Sequence, residues 1–321
     1  MPFDTRAATA VTRMGLGLAA LGRPAYITLG RDADLPAERS VEAMRTRTHE
    51  VLDAAHAAGV RYVDAARSYG RAEEFLAGWL RERPRAADVV VGSKWGYTYT
   101  GDWRMDAPAQ EVKDHTAATF TRQLGETRHL LGDRLDLYQI HSLTPDSSVL
   151  TDRPLQERLA ALVAEGVSVG VSTSGPRQAD AVRAALDISV AGVPLFTSVQ
   201  ATYNLLEPSV GPALAEARAA GRTVIVKEAL ANGRLAQETD RPLLTRLAAQ
   251  AECSPTALAL AAVLHEEWAG VVLSGAVTTD QLADNLSAAH VRLDGEAREQ
   301  LATLAEPAEA YWRDRGSLPW S

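Results

Sequence analysis

The chain has 321 residues, and 33 Lys and Arg against 41 Asp and Glu give a formal net charge of −8. This acidic balance disfavours nucleic acids and anionic membranes as partners. A composition of 46% hydrophobic and 23% charged residues is typical of a soluble globular protein with a large core. At about 150 residues per domain the length suggests two domains, although α/β barrels are the exception to that rule.

Cysteine usage and apolar runs bear on the cellular compartment. Cys253 is the only cysteine, which excludes an intrachain disulfide and a multi-cysteine metal site. The apolar stretch 14–21 continues directly into patterned sequence, whereas a signal segment is followed by a cleavage site. The longest apolar run, 257–264, is far shorter than the ~20 residues that a membrane helix needs. These features predict a cytoplasmic protein.

Short β-branched or apolar runs alternate along the chain with longer amphipathic segments, a pattern typical of βα units around a parallel sheet. The predicted strands lie at residues 15–18, 62–65, 89–94, 135–141, 168–172, 198–201, 223–226 and 271–274. The predicted helices lie at residues 41–58, 73–81, 109–131, 154–165, 177–186, 210–220, 243–252 and 280–289. Eight such units without a linker favour one closed (β/α)8 TIM barrel domain over residues 1–321 rather than a doubly wound sheet with a second domain.

Two aromatic segments fall outside the repeat. The loop 95–108 carries Trp95, Tyr97 and Trp103, and the tail from Pro307 onward carries Trp312. Long structured loops on a barrel are where a substrate pocket is built, but aromatic tails also serve as plain packing. We expect these four aromatic residues to line a substrate pocket.

Polar residues at the ends of the predicted strands mark a candidate site, because a barrel of this kind carries its active site at the carboxyl ends of its strands. Asp64, Lys94 and His141 end the second, third and fourth predicted strands, and Tyr69 follows Asp64 in the next loop. These strands are neighbours in a barrel. The four side chains are therefore expected to converge in one pocket.

The chemistry of this set is mutually consistent. A phenol with a pKa near ~10 is a poor acid at neutral pH, and we expect the Lys94 ammonium to lower the pKa of Tyr69. Asp64 is the natural counter-charge for a partly buried lysine. His141 can donate a hydrogen bond to a substrate carbonyl oxygen. The four residues together predict a proton donor for a carbonyl that is reduced by hydride.

Three runs of sequence resemble the catalytic motifs of the aldo-keto reductase family in the same order. They are the runs from Tyr62 to Gly70, from Gly92 to Lys94 and from Asp136 to His141. The resemblance extends over residues 15–285, nearly the whole chain. It implies that Tyr69 is the general acid and base, that Asp64 and Lys94 tune it, and that His141 orients the carbonyl. It also implies a nicotinamide cofactor, NADP(H) or NAD(H), bound without a Rossmann domain.

The resemblance implies a set of cofactor contacts: Gly17, Leu18, Ser172, Thr173, Gln200, Lys227, Leu230, Arg234, Gly275, Val277, Gln281 and Asn285. Two positions depart from the family pattern. Thr173 replaces an asparagine that holds the carboxamide, and Lys227 stands where an aromatic side chain usually stacks on the nicotinamide. Arg234 could reach the pyrophosphate or remain an ordinary surface arginine.

The segment around residues 277–281 bears on cofactor preference. Many family members carry Arg or Lys here to meet the 2′-phosphate of NADPH, because charge-assisted contacts are strong. Val277, Thr278 and Gln281 are uncharged, and Asp280 is acidic. Backbone amides at a helix start can still hold a phosphate. The sequence therefore weakens the presumption of NADPH, adds NADH as an alternative and leaves the preference between them open.

The sequence also bears on two other classes of function. A redox sensor or regulatory subunit on the same barrel would bind the cofactor but reduce carbonyls hardly at all. A metal-dependent hydrolase would need carboxylates or histidines clustered at strand ends, and the sequence does not provide that cluster. His49, Asp53 and His56 share one helical face, but the outer side of a barrel helix is normally solvated. We expect no metal and a small carbonyl, alcohol or sugar as substrate.

Overall fold

The structure is a computed structural model that describes residues 13–30, 34–35, 38–236 and 241–320. Eight parallel strands form a closed barrel, which confirms the predicted (β/α)8 fold. The strands are β1 (Met14–Gly17), β2 (Tyr62–Asp64), β3 (Val90–Trp95), β4 (Tyr97–Tyr99), β5 (Glu111–Lys113), β6 (Leu137–Leu143), β7 (Ser168–Thr173), β8 (Ser189–Val190), β9 (Val193–Pro194), β10 (Ser198–Thr202), β11 (Thr223–Lys227) and β12 (Val271–Ser274). The barrel order is β1, β2, β3, β6, β7, β10, β11, β12, while β4 pairs with β5 and β8 pairs with β9 as hairpins.

The helices alternate with the barrel strands as the sequence pattern predicts. They are α1 (Val41–Ala57), α2 (Ala72–Glu82), α3 (Ala117–Leu131), α4 (Arg153–Ala164), α5 (Gln178–Leu186), α6 (Gly211–Ala219), α7 (Pro242–Gln250), α8 (Pro255–Leu264), α9 (Thr279–Ser287), α10 (Gly295–Ala302) and α11 (Ala308–Gly316). Several begin where a side chain satisfies a free amide. Ser40, for example, accepts a hydrogen bond from the Ala43 amide at the start of α1.

One predicted helix was wrong at its start. The pattern predicted a helix over residues 109–131, but α3 begins only at Ala117. Residues 111–113 instead form β5, which pairs with β4 in an antiparallel hairpin. Thr116 then accepts a hydrogen bond from the Thr119 amide and caps the helix. Pairing with a strand from the preceding loop therefore overrides the local helical pattern.

Three of the helices in the described part of the chain lie outside the predicted set. The apolar run 257–264 belongs to α8, and seven of the ten residues of α8 are buried. Helices α10 and α11 follow the barrel, and α11 lies in the aromatic tail. In the described part of the chain no single helix has the length and apolar character to cross a bilayer, and α7 with α8 meets that test only as a pair bent by 82°.

Strand register brings the predicted site residues to one end of the barrel. Asp64 pairs with Gly92 between β2 and β3, and Lys94 pairs with Gln139 between β3 and β6. Gln200 of β10 pairs with Ser172 of β7. Parallel strands share a common carboxyl edge, so these side chains meet at that edge of the barrel.

Candidate active site

Lys94 and Asp64 form a buried ion pair at the carboxyl end of the barrel. The Lys94 side chain is fully buried and donates to Asp64 Oδ2, to the Ala65 carbonyl oxygen at 3.0 Å and to Tyr69 Oη at 3.3 Å. Burying an unpaired ammonium is costly, and a carboxylate in direct contact offsets part of that cost. Asp64 therefore compensates the buried charge of the lysine that contacts the phenol of Tyr69.

The other carboxylate oxygen of Asp64 is also held. Tyr62 Oη donates to Asp64 Oδ1 at 3.1 Å, Gln200 Nε2 at 2.9 Å and Gln139 Nε2 at 3.5 Å. Gly92 makes room for the first of these donors, since a Cβ there would lie 2.3 Å from Tyr62 Oη. The sequence reasoning did not single out Tyr62 or Gln139. Both lie on barrel strands beside Asp64, and that placement is the signal that could have identified them.

The loop after β2 presents Tyr69 to the cavity. Gly70 has a φ of +58° and approaches the loop after β1 so closely that a Cβ would lie 2.5 Å from the Gly22 carbonyl oxygen. That carbonyl accepts a hydrogen bond from the Arg71 amide at 2.7 Å. A residue with a side chain at position 70 would disturb this contact, so glycine there fixes the direction of Tyr69.

The expectation that Lys94 lowers the pKa of Tyr69 is not confirmed. Burial raises the pKa of Tyr69 well above its usual value, and the charge on Asp64 raises it further, while Arg23 opposes them. In this structure Tyr69 is therefore a protonated phenol at neutral pH. A protonated phenol suits the role of proton donor, and cations around it stabilise the phenolate only as that charge develops.

His141 lies beside Tyr69, with ring centroids 5.5 Å apart in an edge-to-face arrangement. Its Nδ1 is 3.4 Å from Ser68 Oγ, and its ring is 5.0 Å from the ring of Tyr97. Burial holds the pKa of His141 well below its usual value, and Lys94 lowers it further. The imidazole is therefore neutral near pH 7 and can donate one hydrogen bond.

The backbone at the end of β6 is shaped to aim this histidine. Ser142 has a φ of 55°, in the left-handed region, and the pairing of β6 with β7 shifts register between Ile140 and Leu143. Such bulges redirect a side chain and are common next to active sites. His115 supports the same turn, since its Nε2 donates to the His141 carbonyl oxygen at 2.8 Å.

A cavity of about 610 Å³ opens over these residues. Pockets that bind small molecules and cofactors commonly measure about 300–1,000 Å³. Of the predicted site residues, those that line it are Asp64, Tyr69, His141, Gly17, Gln200, Lys227, Leu230, Gly275, Val277, Gln281 and Asn285. The structure thus gathers most of the predicted catalytic and cofactor residues around one space.

Two buried polar atoms fit the carboxamide of a nicotinamide. Gln200 Oε1 and Ser172 Oγ are buried and have no hydrogen-bond partner in the structure. They belong to paired residues of neighbouring strands. Buried polar atoms are normally hydrogen-bonded, so these two atoms are free to bond to a carboxamide. Thr173 differs, because its hydroxyl donates to the Gln200 carbonyl oxygen at 3.3 Å and so fixes the neighbouring strand.

Lys227 lines the cavity at the end of β11. Its Nζ donates to Thr202 Oγ1 at 2.9 Å and lies 3.8 Å from Glu228 Oε1. Burial lowers the pKa of Lys227 to about 8, and Glu228 opposes that effect. No aromatic side chain of β11 replaces the expected stack, so a cation lines this part of the wall.

The wall around Gly275 and α9 carries no cation among the described lining residues. Gln281 Oε1 accepts from the Val277 amide at 3.0 Å, and Asn285 Nδ2 donates to Ser274 Oγ at 2.8 Å. The acidic Asp284 lines the same end. The cations of the described lining, namely Arg23, Lys227 and Arg315, belong to other elements.

Two predicted cofactor residues have other roles. Leu18 is fully buried, and its amide donates to the Asp64 carbonyl oxygen at 2.9 Å. Arg234 does not line the cavity, because it pairs with Glu306 at 2.6 Å and stacks on the Tyr311 ring at 5.5 Å. The Arg234 guanidinium, which was predicted to reach the pyrophosphate, is therefore paired with Glu306 instead.

The predicted substrate aromatics are placed differently from the expectation. Trp95 is fully buried against His115 and Phe120, because it follows Lys94 on β3 and therefore points to the opposite face of the strand, toward α3. Trp103 packs on Phe75 and donates to the Arg39 carbonyl oxygen at 2.7 Å. Trp312 packs on Tyr311 and Arg315. Of the four, Tyr97 alone reaches the site, through its contact with His141.

The aromatic residues that do line the cavity are Tyr26 and Trp320, together with Tyr69. Trp320 comes from the C-terminal tail, where it forms an isolated bridge with Ile27. The sequence provided little indication that Tyr26 and Trp320 line the cavity, because neither lies at the end of a predicted strand. The described residues also contain no group of three or more His, Cys, Asp or Glu that could hold a metal ion. His56 and Asp53 instead bond to Asp88 and Arg83.

The barrel and its buried tyrosine, lysine, aspartate and histidine are typical of oxidoreductases that act on carbonyls and alcohols. The sequence profile of the Aldo/keto reductase family matches residues 13–306. The chain belongs to the aldo-keto reductase family, whose members are generally NAD(P)-dependent carbonyl and alcohol oxidoreductases.

Individual relatives agree with this membership. The aldo-keto reductase str7 of Strobilurus tenacellus is 25% identical over 293 residues, which cover 81% of this chain and 81% of that protein. A solved structure assigned to the aldo-keto reductases, from Pseudomonas aeruginosa, is 25% identical with a TM-score of 0.63 over 89% of this chain and 92% of that chain. The holo form of aldo-keto reductase AKR11C1 from Bacillus halodurans shares the fold, with 22% identity and a TM-score of 0.68 over 92% of this chain and 93% of that chain.

Proposed function

We propose that this chain is an NAD(P)-dependent oxidoreductase that interconverts an aldehyde, ketone or aldose with the corresponding alcohol. The observation that carries the proposal is the contact of Tyr69 Oη with Lys94 Nζ at 3.3 Å, beside a neutral His141. Carbonyl reduction needs a proton donor and a hydrogen-bond donor aimed at the same oxygen. Tyr69 and His141 supply both at the wall of one cavity.

The nicotinamide, when bound, supplies the hydride. Ser68 Oγ lies against Nδ1 of His141, which leaves Nε2 to donate a hydrogen bond to the carbonyl oxygen. Tyr69 gives its proton to that oxygen as negative charge develops there. Lys94 then stabilises the phenolate, and Asp64 holds Lys94 in contact with it. In the reverse direction the phenolate takes the proton from the alcohol.

The residues that would hold the cofactor lie on the cavity wall, as Gln200 does, or on a neighbouring strand, as Ser172 does. Gln200 Oε1 and Ser172 Oγ, both unpartnered, would accept from or donate to the carboxamide. The turn at Gly275 and the start of α9 would hold the adenosine phosphate through backbone amides. Because the described lining there has no cation, we propose that NADH is accepted at least as well as NADPH.

A second function is favoured by one observation. Lys227 occupies the position where relatives are expected to stack an aromatic side chain on the nicotinamide, and this departure suits a barrel that binds the cofactor as a redox sensor with little turnover. The contacts among Asp64, Lys94 and Tyr69 favour the enzyme. We also propose a cytoplasmic location, which the single free Cys253 supports.

The test is a cofactor-oxidation assay with purified protein, NADH or NADPH, and a panel of aldehydes, ketones and aldoses. The proposal expects loss of the reduced-nicotinamide absorbance that depends on the carbonyl, with formation of the matching alcohol. Tight binding of cofactor without turnover of any panel member, in either direction, would favour the sensor instead. A strong preference for NADPH would contradict the proposal that NADH is accepted at least as well, which rests on the lack of a cation in the described lining beside α9.

A further inference from the structure

Arg23 is a buried cation that the predicted catalytic set does not contain. It lies in the loop after β1 and is only 2% exposed. Its Nη1 donates to the Ser68 carbonyl oxygen at 3.1 Å and to Glu111 Oε2 at 2.9 Å, and its Nε donates to the Ala19 carbonyl oxygen at 3.3 Å. One guanidinium therefore joins the loop that carries Tyr69 to the hairpin of β4 and β5.

The same guanidinium stacks on three aromatic rings. Its Cζ lies 5.2 Å from the ring centre of Tyr69, 5.1 Å from that of Tyr26 and 4.8 Å from that of Trp320. Lys94 Nζ lies 4.8 Å from the centre of the Tyr69 ring as well. Two cations thus contact the phenol, one from the barrel interior and one from the loop after β1.

We propose that Arg23 is a positioning residue for Tyr69, which holds the phenol in place and stabilises the negative charge that forms on it when its proton leaves. This inference rests on the proposed function, because it assumes that Tyr69 exchanges a proton with substrate. Arg is suited to the role, since its planar guanidinium stacks on aromatic faces and keeps its charge at any working pH.

The titratable and charged groups around Tyr69 determine how strongly Arg23 stabilises the phenolate. Those that face it are Asp64 and Tyr62 from β2, Lys94 from β3, His141 from β6, Glu111 from β5, Glu228 beyond β11, and Tyr26 and Arg23 from the loop after β1. Glu111, the partner of Arg23, opposes it, but the Glu111 side chain is 23% exposed and Arg23 only 2%. Solvent screens the carboxylate more than the guanidinium, so the cation dominates near the ring. Arg23 accordingly favours a lower pKa for Tyr69 than Glu111 alone would allow.

The C-terminal tail also contacts Arg23, through Trp320. Trp320 covers Arg23 and is fixed by its bridge to Ile27, so the outer face of the guanidinium is kept from solvent. Exclusion of water strengthens an electrostatic interaction. Removal of the Trp320 ring should therefore weaken the effect of Arg23 while leaving its hydrogen bonds intact.

The experiment compares Arg23→Met, Arg23→Lys and Trp320→Leu with the wild-type protein, in kcat and KM for carbonyl reduction and in the pH profile of alcohol oxidation. The matched control is Arg71→Met, since Arg71 is an exposed cation that lies 6.0 Å from the Trp103 ring. Arg23→Met is expected to lower kcat by about 10- to 100-fold. The alkaline rise of the oxidation profile, which reports loss of the Tyr69 proton, is expected to move to higher pH.

The other variants separate charge from packing. Arg23→Lys should restore much of the wild-type pH profile because it keeps the charge, and Trp320→Leu should shift the profile in the same direction as Arg23→Met but less. A lower kcat with an unmoved pH profile in Arg23→Met and Trp320→Leu would show a structural role and overturn the proposal. If Arg23→Met does not fold, the profiles of Arg23→Lys and Trp320→Leu decide.

Failure of the inference is distinct from failure of the proposed function. If Tyr69→Phe abolishes turnover while the Arg23 variants keep the wild-type kcat and profile, only the role of Arg23 is wrong. If Tyr69→Phe turns over normally, the proposed function is wrong.

Discussion

Arg315 of α11 forms a two-pronged ion pair with Glu228, the residue that follows β11. Nε donates to Glu228 Oε2 at 2.9 Å, and Nη2 contacts Oε1. Glu228 also accepts from Thr202 Oγ1 at 3.0 Å, and Thr202 accepts from Lys227. Burial acts to raise the pKa of Glu228, but Arg315 and Lys227 outweigh it and lower that pKa to about 2. This chain of contacts fastens the C-terminal helix to the wall of the cavity.

Replacing Arg315 with Met should destabilise the protein by about 3 kcal/mol at pH 7, because a buried carboxylate loses its main partner. In the wild-type protein the folded pKa of Glu228 is below its unfolded value, so this stabilisation is complete above about pH 4.5 and is lost as pH falls toward 2. Urea unfolding at pH 7 measures the difference. Arg313→Met is the control, since Arg313 is exposed and pairs only with its neighbour Asp314. Equal stabilities of the two variants would contradict this account.

Lys227 is expected to reduce the stability of the fold. Burial lowers its folded pKa to about 8 from an unfolded value of 10.5, so the unfolded chain binds the extra proton between those values. Below about pH 8 buried Lys227 lowers the free energy of unfolding of the wild-type protein by its full amount. This destabilisation shrinks as the pH rises from about 8 to 10.5. Each unit of difference between the folded and unfolded pKa corresponds to about 1.4 kcal/mol of destabilisation. Replacing Lys227 would remove this destabilisation, but the loss of its hydrogen bond to Thr202 would offset about 1 kcal/mol of the gain.

Lys227→Met should accordingly raise the free energy of unfolding by about 2 kcal/mol at pH 7 and by less at pH 9.5. Urea unfolding of both proteins at the two pH values checks this. The control is Arg104→Met, because Arg104 is an exposed cation that pairs with the exposed Asp106. A loss of stability at pH 7, or a gain that does not shrink at higher pH, is the opposite result.

Cofactor preference should respond to one added cation. Gln281→Arg places a guanidinium at the end of the cavity beside α9, whose described lining holds no cation and where a 2′-phosphate would lie, and charge-assisted contacts to phosphate are strong. The ratio of the NADH to the NADPH dissociation constant should increase by about 10-fold, as measured by cofactor fluorescence. Gln300→Arg, on the exposed face of α10, is the control. An unchanged ratio in Gln281→Arg would place the phosphate elsewhere.

Local pattern was sufficient for the barrel and for the positions of Asp64, Lys94 and His141, because it locates the carboxyl end of each strand closely, although β3 continues to Trp95 and β6 to Leu143. It was insufficient for the start of α3, where β5 pairs with a strand that the loop supplies. It also placed Trp95 in a pocket, although the alternation of side chains along β3 directs that ring away from the site, against Phe120 of α3. A sequence pattern records neither hairpin pairing nor side-chain direction beyond the strand end.

The surroundings of the site depend on contacts between distant parts of the chain. Arg23 contacts Tyr69 and Trp320, and Arg315 contacts Glu228. No spacing rule joins residues so far apart in sequence. The same reason explains Arg234, whose charge is taken by Glu306. The four catalytic candidates could be predicted because they share one edge of the barrel, and the cations around them could not.

The central claim is that Tyr69 transfers the proton, and Tyr69→Phe tests it most directly. The measurement is single-turnover oxidation of bound NADH or NADPH by a carbonyl substrate, together with the dissociation constant of the cofactor. The account predicts a loss of at least about 100-fold in the rate of the chemical step with cofactor affinity unchanged within about twofold, as expected for removal of a general acid. A near-normal rate in Tyr69→Phe would contradict it.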